Sequence, residues 1–215
     1  DFRYTDLAEA IKRAREYGMG VVGSLRGPFS SAWQLFGMEE YLCMLYTDPD
    51  VIHASLTANT DFAVACTRRM AAMGVDAMIY SDDLGSTQAP LMSPECFRTF
   101  LAPQFRRLAD ETHKLGLKMI LHSDGNIGKL IPDIVACGID GLHPIQRCAD
   151  MRLADVKAKY GDQITLFGNV DNVGVLVSGT PDDVADMVKE CVHDAARGGG
   201  YCIGSDHSVH DDIPN

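Results

Sequence analysis

His122 and Asp124, in the run His122-Ser123-Asp124-Gly125, carry the sharpest chemical signal in the chain. At a strand end, residues i and i+2 face the same way, so the imidazole and the carboxylate are expected to project together. His207 closes a later apolar run and is a third candidate for the same cavity. Two histidines and a carboxylate suit a Zn2+ site with one coordination position open to substrate. A plainer reading of the same residues has His122 capping a strand while Asp124 turns the chain ahead of Gly125. Asp82-Asp83 comes next. Adjacent carboxylates in one site resist joint ionisation, which raises the pKa of one and makes it a candidate general acid. The pair could also ligate a cation, or one member could be a solvated turn residue. Gly168-Asn169-Val170-Asp171-Asn172 offers amides and acids that could orient a substrate or close an Asx turn. Gln146 follows His143-Pro144-Ile145 and is free to hydrogen bond, while Arg26 supplies a cation ahead of Gly27-Pro28-Phe29. Arg26, Gln146, Asn169 and Asp171 are therefore the substrate-binding candidates. The cysteines sit mid-helix or within strands, apart from Cys148 in a loop, and none stands out as a nucleophile.

These residues have a common position. Six short apolar runs, at 18–24, 75–83, 117–124, 139–146, 164–171 and 201–207, end in polar residues, and helical periodicity intervenes between them. The helices are expected over 6–17, Pro49–Met73, 94–115, 127–136, Leu153–Tyr160 and 181–197. Ser93-Pro94-Glu95 and Thr180-Pro181-Asp182-Asp183 read as helix starts, with a capping hydroxyl, Pro at the first helical position and early negative charge. Gly18, Gly74, Gly116, Gly138 and Gly161 stand where helices hand over to strands. Apolar strands with chemistry at their carboxyl tips are the signature of a parallel α/β sheet. No G-x-G-x-x-G or G-x-x-x-x-G-K-[ST] loop follows a strand, which weakens the open-sheet nucleotide binders. Functional residues at every tip favour a closed (β/α)8 TIM barrel.

Composition bounds the class. Lys and Arg number 19 against 30 Asp and Glu, a net charge of -11 that argues against nucleic acid or an anionic membrane as partner. No run approaches the ~20 apolar residues of a membrane span. The seven cysteines, without a C-x-x-C pair, read as reduced thiols of a cytoplasmic protein. The start lacks Met, and the chain stops just after the sixth strand tip. The expectation is a single domain over 1–215, truncated at both ends, forming a C-terminal portion of the barrel with about six βα units.

Taken as a set, Leu25-Arg26-Gly27-Pro28-Phe29, Leu91-Met92-Ser93-Pro94-Glu95, His122-Ser123-Asp124-Gly125, Phe167-Gly168-Asn169-Val170-Asp171, and Gly198-Gly199-Gly200-Tyr201 leading to His207-Ser208-Val209-His210-Asp211-Asp212-Ile213-Pro214 resemble the uroporphyrinogen decarboxylase superfamily. The resemblance is closer to its corrinoid-linked methyltransferase-like members than to true decarboxylases. Of the decarboxylase residues only the late histidine has a counterpart here, His207; the tyrosine position falls near Gln34 and the serine position near Asp82. The thiol-methylating branch holds zinc with an H-x-C motif and a later Cys. His122 matches that His, Asp124 stands in place of the first Cys, and His207 stands near the second. Exchanging two thiolates for a carboxylate and an imidazole makes a site less negative and a stronger Lewis acid, better suited to polarising an oxygen. The resemblance thus implies a methyltransferase moving a methyl group from a small methyl ether-type donor to a corrinoid carried by a partner protein. Zn2+ would sit on His122, Asp124 and His207, with Asp82, Asp83 and His207 as catalytic residues. The alternatives are a uroporphyrinogen decarboxylase of tetrapyrrole biosynthesis, or a non-catalytic barrel that binds a tetrapyrrole or another small molecule.

Overall fold

The computed structural model describes residues 5–214. A helix, α1 (Thr5–Glu16), leads into six parallel strands: β1 (Val22–Arg26), β2 (Ala77–Ser81), β3 (Lys118–His122), β4 (Gly141–His143), β5 (Thr165–Val170) and β6 (Tyr201–Ser205). Strand order in the sheet follows chain order from β1 to β6, with every neighbouring pair parallel. A doubly wound sheet reverses direction at a switch point; a barrel wall adds each strand beside the last. The unreversed order is therefore that of a (β/α)8 barrel wall.

Alternation along the strands sorts the side chains. Met78, Tyr80, Met119, Leu121, Leu142 and Leu166 point to the helical layer and are fully buried. That layer includes α4 (Pro49–Met73), α6 (Ala102–Lys114), α8 (Leu153–Tyr160) and α10 (Pro181–Ala195). Tyr80 shows how tightly the layers are joined. Its hydroxyl meets Thr67 Oγ1 of α4 at 2.7 Å and Thr112 Oγ1 of α6 at 3.0 Å, so one β2 residue ties two helices to the sheet. On the other face Val22, Ile120, Phe167 and Cys202 border a cavity of about 660 Å3.

The helix starts follow their chemistry. Thr180 and Asp183 form a reciprocal capping box at α10, and Ser93 Oγ accepts from Cys96 N–H at the short α5 (Pro94–Cys96). Gly74 ends α4 at φ 95°, a left-handed backbone that a side chain would strain. Three expectations are corrected. The helix expected over 94–115 is interrupted by a π turn, Phe97–Leu101, because the Pro103 ring would clash with the carbonyl one turn back in a continuous α-helix. Helix 127–136 shrinks to α7 (Ile131–Val135), its first residues being turns. Two helices that the sequence reading leaves out, α2 (Pro28–Phe36) and α3 (Met38–Thr47), follow β1 directly and stack at its carboxyl end, with Pro28 at the first helical position of α2. No helix among the described residues is long and apolar enough to cross a membrane.

Tyr80→Phe removes the bridging hydroxyl but keeps the ring. The expected loss is about 0.5–1.5 kcal/mol of unfolding free energy, because Thr67 retains its bond to the Ala63 carbonyl. Denaturant unfolding of the variant measures it; an unchanged midpoint would show that the bridge is not stabilising.

Candidate functional site

Register sets up the site. Arg26 pairs with Ser81, Ser81 with His122, and His122 with His143, so four strands deliver one residue each to a single row at the carboxyl edge. Registered residues of neighbouring strands share a face. His122 and His143 accordingly stack, with ring centroids 4.9 Å apart and Nδ1 atoms 2.7 Å apart. The sequence reading gives His143 no role of its own ahead of Pro144. It nonetheless closes an apolar run just as His122 does.

Alternation continues past the strand ends. Ser81 and Asp83 face the row, whereas Asp82 between them points into the helical layer and is fully buried. Asp82 accepts the backbone N–H groups of Phe29 at 3.1 Å and Ser30 at 2.6 Å, satisfying two of the open donors at the start of α2. Gly27 packs so closely on this carboxyl that a Cβ would strike it. Burial pushes the Asp82 pKa up to about 7; the Ser30 and Phe29 donors oppose that rise, and the Asp83 charge adds to it. The two aspartates paired in the sequence reading therefore part company: Asp82 anchors α2, and only Asp83 faces the row.

On β3, His122 and Asp124 face one way and Ser123 the other, where its Oγ accepts from Leu84 N–H. His122 Nε2 lies 3.6 Å from Asp83 Oδ1 and 3.6 Å from Asp124 Oδ1. These three side chains can each offer one ligand atom within 4.8 Å of the others. Asp124 Oδ1 is buried and has no hydrogen-bond partner, a state that costs a carboxylate oxygen its hydration. An unpartnered carboxylate oxygen beside a second carboxylate and an imidazole nitrogen fits a divalent cation.

His207 reaches the same place from beyond β6. Its Nδ1 is 3.4 Å from Asp124 Oδ2, the far oxygen of that carboxylate. Gln146 decides the ring's proton. Gln146 Oε1 accepts from Gly125 N–H at 2.7 Å, so its Nε2 is the donor towards His207 Nε2 at 2.9 Å. His207 Nε2 then accepts, and the ring hydrogen is on Nδ1, the nitrogen nearer Asp124. Of the expected metal candidates, His122 and Asp124 lie together with Asp83, and His207 adjoins the far oxygen of Asp124.

The remaining candidates are placed as follows. Gln146 is buried against the site, and Arg26 is exposed at the end of the row. Asn169 is 1% exposed and does not reach the row. Gly168, at φ 106°, breaks the β5 alternation, and the Asn169 amide donates to the Ile145 carbonyl while Cys191 of α10 packs against it. Asp171 accepts from Val173 N–H at 3.0 Å and Gly174 N–H at 2.9 Å, closing the turn into α9 (Val175–Ser178).

A sequence profile of the uroporphyrinogen decarboxylase (URO-D) family matches residues 3–215. The chain belongs to this family. Among its relatives, the methylated-thiol–coenzyme M methyltransferase of Methanosarcina mazei is 32% identical over 185 residues, covering 84% of this chain and 47% of that protein. The methylcobamide:CoM methyltransferase MtbA of Methanosarcina acetivorans is 29% identical over 187 residues, covering 86% of this chain and 53% of that protein. A uroporphyrinogen decarboxylase of Xanthomonas euvesicatoria matches at 26% over 211 residues, covering 93% of this chain and 57% of that protein. The chain spans about half the length of the curated relatives it matches. A solved structure titled as a methyltransferase from Methanosarcina mazei superposes with a TM-score of 0.82 at 24% identity, covering 96% of this chain and 59% of that one, which shows the shared fold. Within the URO-D family, then, this chain lies nearer the methyltransferases than the decarboxylases.

Two buried groups of this URO-D site titrate with opposite signs. Burial and the neighbouring His122 charge push the His143 pKa down to about 4, so its contribution is complete above the ordinary value of 6.5 and is lost as pH falls towards 4. Asp82, raised to about 7, contributes most below 3.8 and loses that contribution as pH rises through 7. In metal-free protein acidified from pH 7.5 to 5, Asp82→Asn should therefore lose stability more steeply than the parent, and His143→Leu less steeply. Denaturant unfolding across that range measures both slopes; identical slopes in all three proteins would contradict the assignments.

Proposed function

We propose that the site serves a corrinoid-dependent methyltransferase that takes a methyl group from a small, methyl ether-type donor and passes it to a corrinoid carried by a partner protein. The observation that carries the reading is the donor set itself: His122 Nε2 midway between oxygens of Asp83 and Asp124, with Asp124 Oδ1 buried and unpartnered. His122 and Asp124 would hold Zn2+ with Asp83 beside them, and His207 would orient Asp124 through its far oxygen. When bound, such an ion supplies Lewis acidity at a donor oxygen.

The relatives named for transfer to coenzyme M act on a thiol, and thiolate ligands suit that task. Here the ligand atoms are oxygen and nitrogen, which favours an oxygen-bearing donor. Asp83 is the most open of the three, its side chain 47% exposed against 18% for His122 and 28% for Asp124. Its Oδ1 faces His122 and accepts from Asp124 N–H, which leaves Oδ2 as the oxygen that would hold a proton. A proton held there can meet the departing oxygen, which would otherwise leave as an alkoxide or phenoxide. The carboxylates of this mouth also oppose the rival reading, because uroporphyrinogen is itself a polycarboxylate.

Asp83→Asn keeps the shape of the side chain and removes the acid. With a reduced corrinoid as methyl acceptor and metal content measured in each preparation, turnover of a methyl aryl ether should fall about 10²–10⁴-fold. A methyl sulfonium donor, whose thioether leaves without a proton, should be affected far less. Equal losses on both donors would remove the acid role from Asp83, and ether turnover absent from the parent protein would overturn the proposed reaction.

A further inference from the structure

We propose that Gln146 is a positioning residue for Asp124: its single amide holds the backbone just after Asp124 and, through His207, the far oxygen of the Asp124 carboxylate, leaving Oδ1 as the oxygen offered to a cation. Gln146 thereby moves from substrate binding to the support of a cation on His122 and Asp124, a role that rests on the metal reading above.

A backbone donor orients the amide. Gly125 N–H can only donate, and it lies 2.7 Å from Gln146 Oε1; a flipped amide would set two donors against each other. Nε2 is therefore the atom 2.9 Å from His207 Nε2. An amide nitrogen has no lone pair to accept with, so the ring nitrogen accepts and the ring hydrogen sits on Nδ1. Nδ1 is 3.4 Å from Asp124 Oδ2. The other tautomer would turn a lone pair, instead of an N–H, towards that carboxylate oxygen. Asp124 Oδ1, buried and without a hydrogen-bond partner, is the oxygen that remains.

The chain holds Gln146 in place at a cost. Ile145, just before it, is buried and has φ 57°, a left-handed backbone that strains a β-branched residue. Such strain persists where the surroundings impose it, and it gathers at functional sites. The Gln146 carbonyl accepts from Ala149 N–H at 3.2 Å and Met151 N–H at 3.4 Å, which anchors its main chain in the loop after β4. The partners of the amide are held as well. Gly125, at φ 80°, packs so closely on Gly85 that a Cβ would collide, and Asn126 N–H donates to the Ser86 carbonyl at 2.6 Å. Ser205 Oγ donates to the His207 carbonyl at 2.7 Å. One side chain after β4 thus joins the loop after β3 to the segment after β6, across the intervening β5. Losing it would free Asp124 twice, at its turn and at its far oxygen.

The test combines nitrogen chemical shifts of the His207 ring in metal-free protein with Zn2+ alone as ligand. In the parent, the ring should carry its hydrogen on Nδ1 and leave Nε2 bare. Gln146→Glu keeps an acceptor for Gly125 N–H and puts an oxygen in place of the donor, so the hydrogen should then be found on Nε2. Gln146→Met keeps the length of the side chain and removes both bonds. Its Zn2+ affinity, from chelator competition, should fall about 10–100-fold, the usual worth of such an outer partner. In a His207→Ala background the same substitution should cost much less, because part of its effect passes through the ring. A parent His207 protonated at Nε2, a ring unchanged by Gln146→Glu, or equal affinity losses with and without His207 would each overturn the role of Gln146. The parent shifts need neither a variant nor a metal: an Nδ1–H ring in a protein that binds no Zn2+ would sink the metal reading and leave the Gln146–His207 assignment standing.

Discussion

All six strands run parallel and in register, and the chemistry of this chain depends on that constraint. Parallel register sends every strand's last residue to one edge of the sheet, and alternation then decides which of those residues look inwards. The row from Arg26 through Ser81 and His122 to His143 is the direct product. A slip of one residue on β3 would turn His122 and Asp124 into the helical layer and bring Ser123 to the mouth. The layer behind the row resists such a slip, because Leu121 and Tyr80 are fully buried among the helices and the Tyr80 hydroxyl is bonded on both sides.

Three carboxylates close together must each find compensation, and the structure gives them different kinds. Asp82 finds it in backbone N–H groups at the head of α2, a fixed dipole that needs no ion. Asp83 and Asp124 have little of it: Asp83 accepts one long bond, 3.4 Å, from Asp124 N–H, and Asp124 Oδ1 accepts none. The anchoring carboxylate and the one that faces the row are thereby adjacent residues. Ser30 joins the two tasks, since its N–H goes to Asp82 and its Oγ accepts from Asp83 N–H at 3.3 Å. The placement of α2 is therefore coupled to that of Asp83.

The strands, most helices and the strand-tip location of the chemistry were legible in the sequence, because a strand buried on both faces must be apolar along its length and can turn polar only where it emerges. The i, i+2 spacing of His122 and Asp124 was enough to bring them together. The same rule applied to Asp82-Asp83 would have separated them, since neighbours at a strand end face opposite ways. Asn169 could not be placed this way: the backbone at Gly168 breaks the alternation, and a positive φ leaves no mark beyond the glycine itself. His143 ends a strand only three residues long and directly precedes Pro144, so its sequence context is that of a loop as much as a strand tip. The contact of His207 with Gln146 joins residues far apart in sequence and leaves no local mark.

The central claim is a divalent metal centre built from imidazole and carboxylate without thiolate. Titration of the purified protein with Co2+ tests it most directly, because thiolate-bound and oxygen- or nitrogen-bound Co2+ differ in their absorption. The account predicts one saturable equivalent whose visible spectrum lacks a sulfur charge-transfer band, lost in both His122→Ala and Asp124→Ala. A sulfur band, or binding that survives both substitutions, would contradict it.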